Sequence, residues 1–119
     1  MSRIVLISAV IFFNVCGHLF FKAGMNKIGA IPIGQLVTNL PRIITTPFVL
    51  LGIFSHVSSL TLYLVVLSRV DLSYVFPLIM GVGYTLIVLF SWQIFVEPFS
   101  SFKWLGIGLI LIGVLLLGK

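Results

Sequence analysis

The sequence predicts an all-α integral membrane protein, a bundle of four transmembrane helices. Three observations carry that prediction. Hydrophobic residues make up 61% of the 119-residue chain and charged residues only 8%, with a mean hydropathy of +1.32. A soluble domain of this size cannot cover so much apolar surface. The apolar residues gather into four runs, 4–21, 47–67, 72–96 and 102–118, each near the roughly 20 residues a helix needs to cross the hydrocarbon. Finally, the only two acids, Asp71 and Glu97, fall at the ends of these runs, so no carboxylate lies inside a span. Four helices with short connections make one domain, 1–119.

The first run carries Asn14, His18 and Lys22. Spacing of four puts them on one stripe of a helix, drifting by about 40° per step. Lys22, about one turn from the run's end, can snorkel to headgroup depth and avoid most of the roughly 2.5–3.5 kcal/mol cost of a charge at mid-bilayer. There it can pair with a phosphate, with His18 and Asn14 offering hydrogen bonds one and two turns deeper. The plainer readings are a lysine that sets topology and an asparagine that bonds a neighbouring helix. Cys16 follows Phe13-Asn14-Val15, without the small residue that lipoprotein cleavage favours, so the run is expected to be a span and not a signal peptide.

After a turn-rich stretch from Gly24 to Pro32, Ile33, Leu36, Val37, Leu40 and Ile44 recur at helical spacing. Residues 33–44 therefore read as an amphipathic helix in the interface, bent or interrupted near Pro41, or else as a plain connecting loop. In the second run His56, Ser59 and Tyr63 share a face at i, i+3 and i+7. Polar side chains there must face protein or a wet cavity, and His56 and Tyr63 are candidate substrate contacts.

The third run contains Tyr74, Pro77, Gly81, Gly83 and Tyr84. Pro77 removes one backbone hydrogen bond, and the glycines allow bending or close helix approach. Pro77, Gly81 and Gly83 are thus candidate hinge positions of an alternating-access cycle, and Tyr84 joins the candidate substrate contacts. In the fourth run Gly106 and Gly113, seven apart, form a notch on one face. A second copy of the helix fits such a notch, because association in lipid depends on close packing. A dimer is expected for a second reason: four helices are too few to enclose a path for a polar headgroup.

Two histidines and one cysteine allow no internal disulfide and no zinc or haem spacing, and no nucleophile–base–acid set can be assembled. No enzyme activity, metal or cofactor is expected. The net charge of +5 comes from span ends, which suits anionic lipid headgroups better than nucleic acid. With four spans, Arg3, Arg69 and Lys119 share one side and Lys22, Lys27, Arg42 and Lys103 the other. That balance leaves orientation weakly specified by the positive-inside rule.

Gly81-Val82-Gly83 followed by Ser91-Trp92, and Gly106 with Gly113 running into Val114-Leu115, resemble the third and fourth helices of the small multidrug resistance family within the drug/metabolite transporter (EamA-like) superfamily. The multidrug branch carries an essential glutamate in helix one, and here Asn14 takes its place. Asparagine cannot titrate, which argues against proton-coupled export of cationic drugs. Phe76 and Ile79 likewise stand at positions where that branch holds cations with aromatic residues.

A second set, Gly17-His18-Leu19 with Lys22, Leu72-Ser73-Tyr74 with Pro77, and Glu97-Pro98 with Ser100, resembles small subunits related to the aminoarabinose-lipid flippase, which also lack the glutamate. That resemblance implies transport of a polyprenyl-phosphate-linked sugar across the bacterial inner membrane. It singles out Lys22, Tyr74, Pro77 and Glu97 as motif positions, and implies a homodimer or a heterodimer with a related four-helix subunit. The expectation is a transporter or flippase of a lipid-linked, phosphate-bearing substrate. The alternatives are an exporter of small cations or metabolites, with His18 titrating in place of the acid, and a non-transporting accessory subunit.

Overall fold

Residues 2–117, which the computed structural model describes, form five α-helices and one 3-10 turn. These are α1 (Arg3–Ile28), the turn Ile33–Gln35, α2 (Leu36–Thr45), α3 (Pro47–Leu67), α4 (Leu72–Ile94) and α5 (Ser101–Leu117). Gly118, read as the end of the fourth run, and Lys119, counted among the end charges, lie outside the described residues.

The helix ends follow from local chemistry. Ser2 caps α1, its Oγ accepting from the Val5 N–H at 3.3 Å. At the other end Gly29 adopts φ 90°, a left-handed value that suits glycine, and its N–H bonds the Met25 carbonyl at 2.8 Å. The helix therefore runs past Phe21, where the apolar run stops, because Lys22 to Ile28 hold no helix breaker except Gly24. Pro47 occupies the first position of α3, where its missing N–H costs nothing.

Three helices, α1, α3 and α4, are long and apolar enough to cross a membrane, as befits a multi-pass membrane protein. α5 is apolar but has 17 residues, about 25 Å of helix, short of the roughly 30 Å hydrocarbon.

α1 and α3 approach at backbone range. A methyl group on Gly52 would lie 2.5 Å from a Phe21 ring carbon and 3.1 Å from the Gly17 carbonyl oxygen. One on Gly17 would lie 2.6 Å from the His56 ring. Ser59, buried in the same contact, donates its hydroxyl to the Val10 carbonyl at 3.0 Å. The opposite ends of the pair are tied by Lys27, whose Nζ lies 4.4 Å from the centre of the Phe48 ring. α4 packs on α1, and Leu6, Val10, Val66, Val75 and Ile79 form the core where the three helices meet.

α5 is the outermost helix and packs chiefly on α4, with Val114 pressed onto Gly81. Gly106, Gly108 and Gly113 meet nothing within 4 Å of where a methyl group would stand.

α2 is not interrupted at Pro41. Its end is stitched instead by Thr45, which donates to the Pro41 carbonyl, and by Thr46, which donates to that of Arg42, both at 2.7 Å. Ile33 and Val37 are 87% and 82% exposed, so the other described residues leave this part of the segment's apolar face uncovered, while Leu36, Leu40 and Ile44 are partly covered.

The 95–100 connection holds the backbone outlier of the fold. Val96 has φ 52°, a value that costs a β-branched residue on the order of 1–3 kcal/mol.

Candidate functional site

A cavity of about 310 Å³ opens between α1, α3 and α4, with Asn14, His56, Ser59 and Tyr63 contributing polar groups among Val10, Leu60, Phe76, Ile79 and Met80. That is roughly ten water volumes at about 30 Å³ each. The i, i+3, i+7 relation in α3 points His56, Ser59 and Tyr63 to one side, and α1 adds Asn14 opposite. Gly83 of α4 is buried beside this point, and a methyl group there would make only an ordinary contact, 3.9 Å from the Asn14 Oδ1. No carboxylate lines the cavity. It can hold a polar, hydroxyl-rich group by hydrogen bonds, and it offers a cation no counter-charge.

His56 is shared between cavity and core. Its ring stacks on Phe21 with centroids 4.7 Å apart and meets His18 edge-on at 4.7 Å. Its Nε2 is buried against Gly17 without a hydrogen-bond partner among the described residues, a loss of about 1–3 kcal/mol by comparison with a satisfied group.

The other sequence-predicted contacts are dispersed. His18 is exposed and reaches the cavity only through His56. Lys22 is also exposed and lines a separate depression of about 450 Å³ with Met25, Asn26 and Gly29. Tyr74 lies at the opposite end of the bundle, in a depression of about 360 Å³ with Arg3, Arg69 and Asp71. Asp71 is the cap residue of α4, though its side chain makes no capping bond. Tyr84 and Glu97 share a fourth pocket, of about 250 Å³, with Ser91, Trp92, Phe99 and Lys103.

Of the candidate hinge residues, Pro77 lies inside a continuous α4, while Gly81 and Gly83 are both buried at helix contacts. Gly106 and Gly113 face away from the other described helices.

The sequence places Ser59 on the polar face with His56 and Tyr63 without naming it a substrate contact, and it lines the cavity beside them. Reading the sequence alone passed over the aromatic wall of the fourth pocket. There Trp92 lies 5.5 Å from Phe99 and 6.1 Å from Trp104, and Phe99 lies 4.6 Å from Trp104, centroid to centroid. The signal was two tryptophans flanking a Glu-Pro-Phe segment, which composition alone reads as membrane-interface anchors.

Comparison with known proteins adds a direction. The chain is 29% identical to an uncharacterized protein, y4nH, of Sinorhizobium fredii, over 85% of this chain and 92% of that one. It is 44% identical, over 52% of its length and 56% of the relative's, to a Pseudomonas syringae protein named "Probable 4-amino-4-deoxy-L-arabinose-phosphoundecaprenol flippase subunit ArnE". A Pseudomonas fluorescens protein of the same name is 32% identical, over 62% of this chain and 64% of that one. The chain thus spans about half to two thirds of the length of these flippase-named relatives. They relate it to small membrane transport proteins at modest identity. No protein-family model matches the chain, and neither does any solved structure.

Proposed function

We propose that this chain is a non-enzymatic membrane flippase or transporter subunit for a lipid-linked, phosphate-bearing, sugar-like substrate in the bacterial cytoplasmic membrane. The observation that carries this reading is the central cavity, polar through Asn14, His56, Ser59 and Tyr63 yet free of carboxylate, in a chain whose named relatives are flippase subunits for a phosphoundecaprenol-linked sugar. Uncharged hydrogen-bonding groups suit sugar hydroxyls. An exporter of cations needs a negative charge at the site, and the cavity has none.

In this reading Asn14 and Tyr63 bond the sugar during passage, with His18 and His56 forming the edge of the path. Lys22 and Tyr74, near opposite membrane faces, receive or release the phosphate-bearing headgroup, while the polyprenyl tail stays in lipid. Pro77, Gly81 and Gly83 allow α4 to move against α1. A second four-helix subunit, identical or related, completes the path across the Gly106–Gly113 face of α5; the word "subunit" in the relatives' names fits that arrangement.

The test is headgroup flipping in proteoliposomes, read by access of a membrane-impermeant reagent to a polyprenyl-phospho-sugar. The expected result is chain-dependent flipping that falls about tenfold in an Asn14→Ala/Tyr63→Phe double variant, as two lost hydrogen bonds predict. Lys22→Gln should lower lipid affinity without disturbing dimerisation. Absence of chain-dependent flipping, together with uptake of a small organic cation, would replace this reading with the exporter.

A further inference from the structure

We infer that α2 and the turn before it form an in-plane anchor, seated in the headgroup interface of an anionic lipid leaflet. The partner is bilayer lipid, so this holds whatever the chain transports.

Chain geometry ties the segment to one membrane surface. α1 has 26 residues, about 39 Å of helix, which outlasts the roughly 30 Å hydrocarbon. α2 follows its end after residues 29–32 and the turn Ile33–Gln35, and Thr46 alone separates it from α3. Both ends of α2 are thus held at the same side of two spanning helices. With 10 residues, about 15 Å, α2 cannot reach the other side. Its carbonyls are also satisfied locally: Asn39 donates to the Gln35 carbonyl at 2.9 Å, Thr45 to that of Pro41 and Thr46 to that of Arg42. A helix end closed in this way tolerates a place where water is scarce.

The helix has three unlike sides. Asn39 and Ile43 are half-buried, on the side turned to α1 and α3. Leu36, Val37, Leu40 and Ile44 fall within an arc of about 100°, and each is at least 43% exposed. Thr38, Arg42 and Thr45 lie roughly opposite that arc and are exposed. A short helix that is apolar on one side and cationic on the other lies in the membrane interface. Facing water, the same arc would be a contiguous apolar patch with nothing to cover it.

Charge selects the occupant. Arg42 joins Lys22 and Lys27 at this end of the bundle, and no carboxylate occurs between residues 22 and 46. Lys27 rests over the Phe48 ring, which keeps its charge at the start of α3. A second copy docked here about a two-fold axis would set these cations against the same cations. An anionic leaflet offers apolar depth to Val37 and Leu40, and phosphates to Arg42 and Lys27.

The experiment places a nitrobenzoxadiazole label at Val37→Cys or at Thr38→Cys, in a full chain whose sole cysteine is removed by Cys16→Ala. Both label positions are exposed, so the label displaces no packing. The chain is held in mixed phosphatidylglycerol and phosphatidylcholine nanodiscs. Dithionite, which bleaches the label from water, should act about fivefold or more faster at residue 38 than at residue 37. A spin label on the upper acyl chain should quench residue 37 and spare residue 38. At equal mole fraction, spin-labelled phosphatidylglycerol should quench residue 37 more strongly than spin-labelled phosphatidylcholine. Arg42→Gln should lower that preference by up to about fivefold, the worth of one basic residue at a charged surface, and Arg42→Lys should retain it.

Equal bleaching at residues 37 and 38 means a solvated connection and overturns the anchor. A residue 37 label shielded from both dithionite and lipid means cover by protein, a second copy included, and overturns it too. Equal quenching by the two lipids, or a preference unchanged in Arg42→Gln, overturns the anionic partner.

Discussion

α1 and α3 meet at backbone range, whereas α5 meets the rest of the described chain through side chains such as Val114 on Gly81, and both α5 and the α1–α3 pair carry several glycines. In the first pair the glycines are filled from across the interface, Gly52 by Phe21 and Gly17 by His56. In α5, Gly106, Gly108 and Gly113 are open. The contrast teaches that a glycine pattern marks where a helix can be approached, and only the partner decides whether it is. In lipid this matters more than in water, because helices gain no hydrophobic energy from each other and depend on close packing. The α1–α3 pair is thus closely packed, and α5 carries an uncovered glycine face on which the proposed second subunit would sit.

The sharpest way to break the comparison is to add volume on each side of it. Gly52→Val should destabilise the chain by about 2–3 kcal/mol, since the new methyls collide with the Phe21 ring and with a backbone carbonyl that cannot step aside. Unfolding of the detergent-solubilised protein in graded denaturant measures this; a loss of a few tenths would mean the two helices are free to slide apart.

A smaller effect is expected from Ser59→Ala, which removes the buried bond to the Val10 carbonyl at about 0.6–1.7 kcal/mol. The same unfolding series reads it, and an unchanged midpoint would remove this bond from the α1–α3 packing.

The smallest effect belongs to α5. Gly113→Ala should leave unfolding within about 0.5 kcal/mol of wild type, because the added methyl has nothing within 4 Å to strike. If the proposed dimer forms through this face, the paired Gly106→Leu/Gly113→Leu variant should keep that stability and run as a monomer in native mass spectrometry where the wild-type chain runs as a dimer. A dimer that survives both substitutions would move the subunit interface elsewhere.

How much of this was legible beforehand differs by region. The helical class, the apolar runs and the lack of a buried acid can all be read from composition and spacing. So can the cavity face of α3, because His56, Ser59 and Tyr63 lie within two turns, where helical drift is small. The α1 stripe was legible only in part. Asn14, His18 and Lys22 are four apart, but about 40° of drift per step amounts to about 80° by Lys22. With α3 crossing at Gly17, that rotation leaves Asn14 in the cavity, His18 on its rim and Lys22 outside.

Of the pocket at Glu97, Tyr84 and Glu97 were singled out in the sequence but the aromatic wall was not legible. Its wall forms only because the 95–100 connection turns through a left-handed valine and folds Phe99 back between Trp92 and Trp104. No local propensity predicts that path.

By itself, then, the sequence determined that the chain is helical, membrane-embedded and without an intramembrane carboxylate. These are sums over residues and follow from transfer energies and periodicity. Tertiary structure alone decided which glycines are occupied, that Asn14 of α1 meets the polar face of α3, and that Phe99 folds against Trp92 and Trp104. Those outcomes depend on distances between helices and on one strained connection, which neighbours along the chain do not encode.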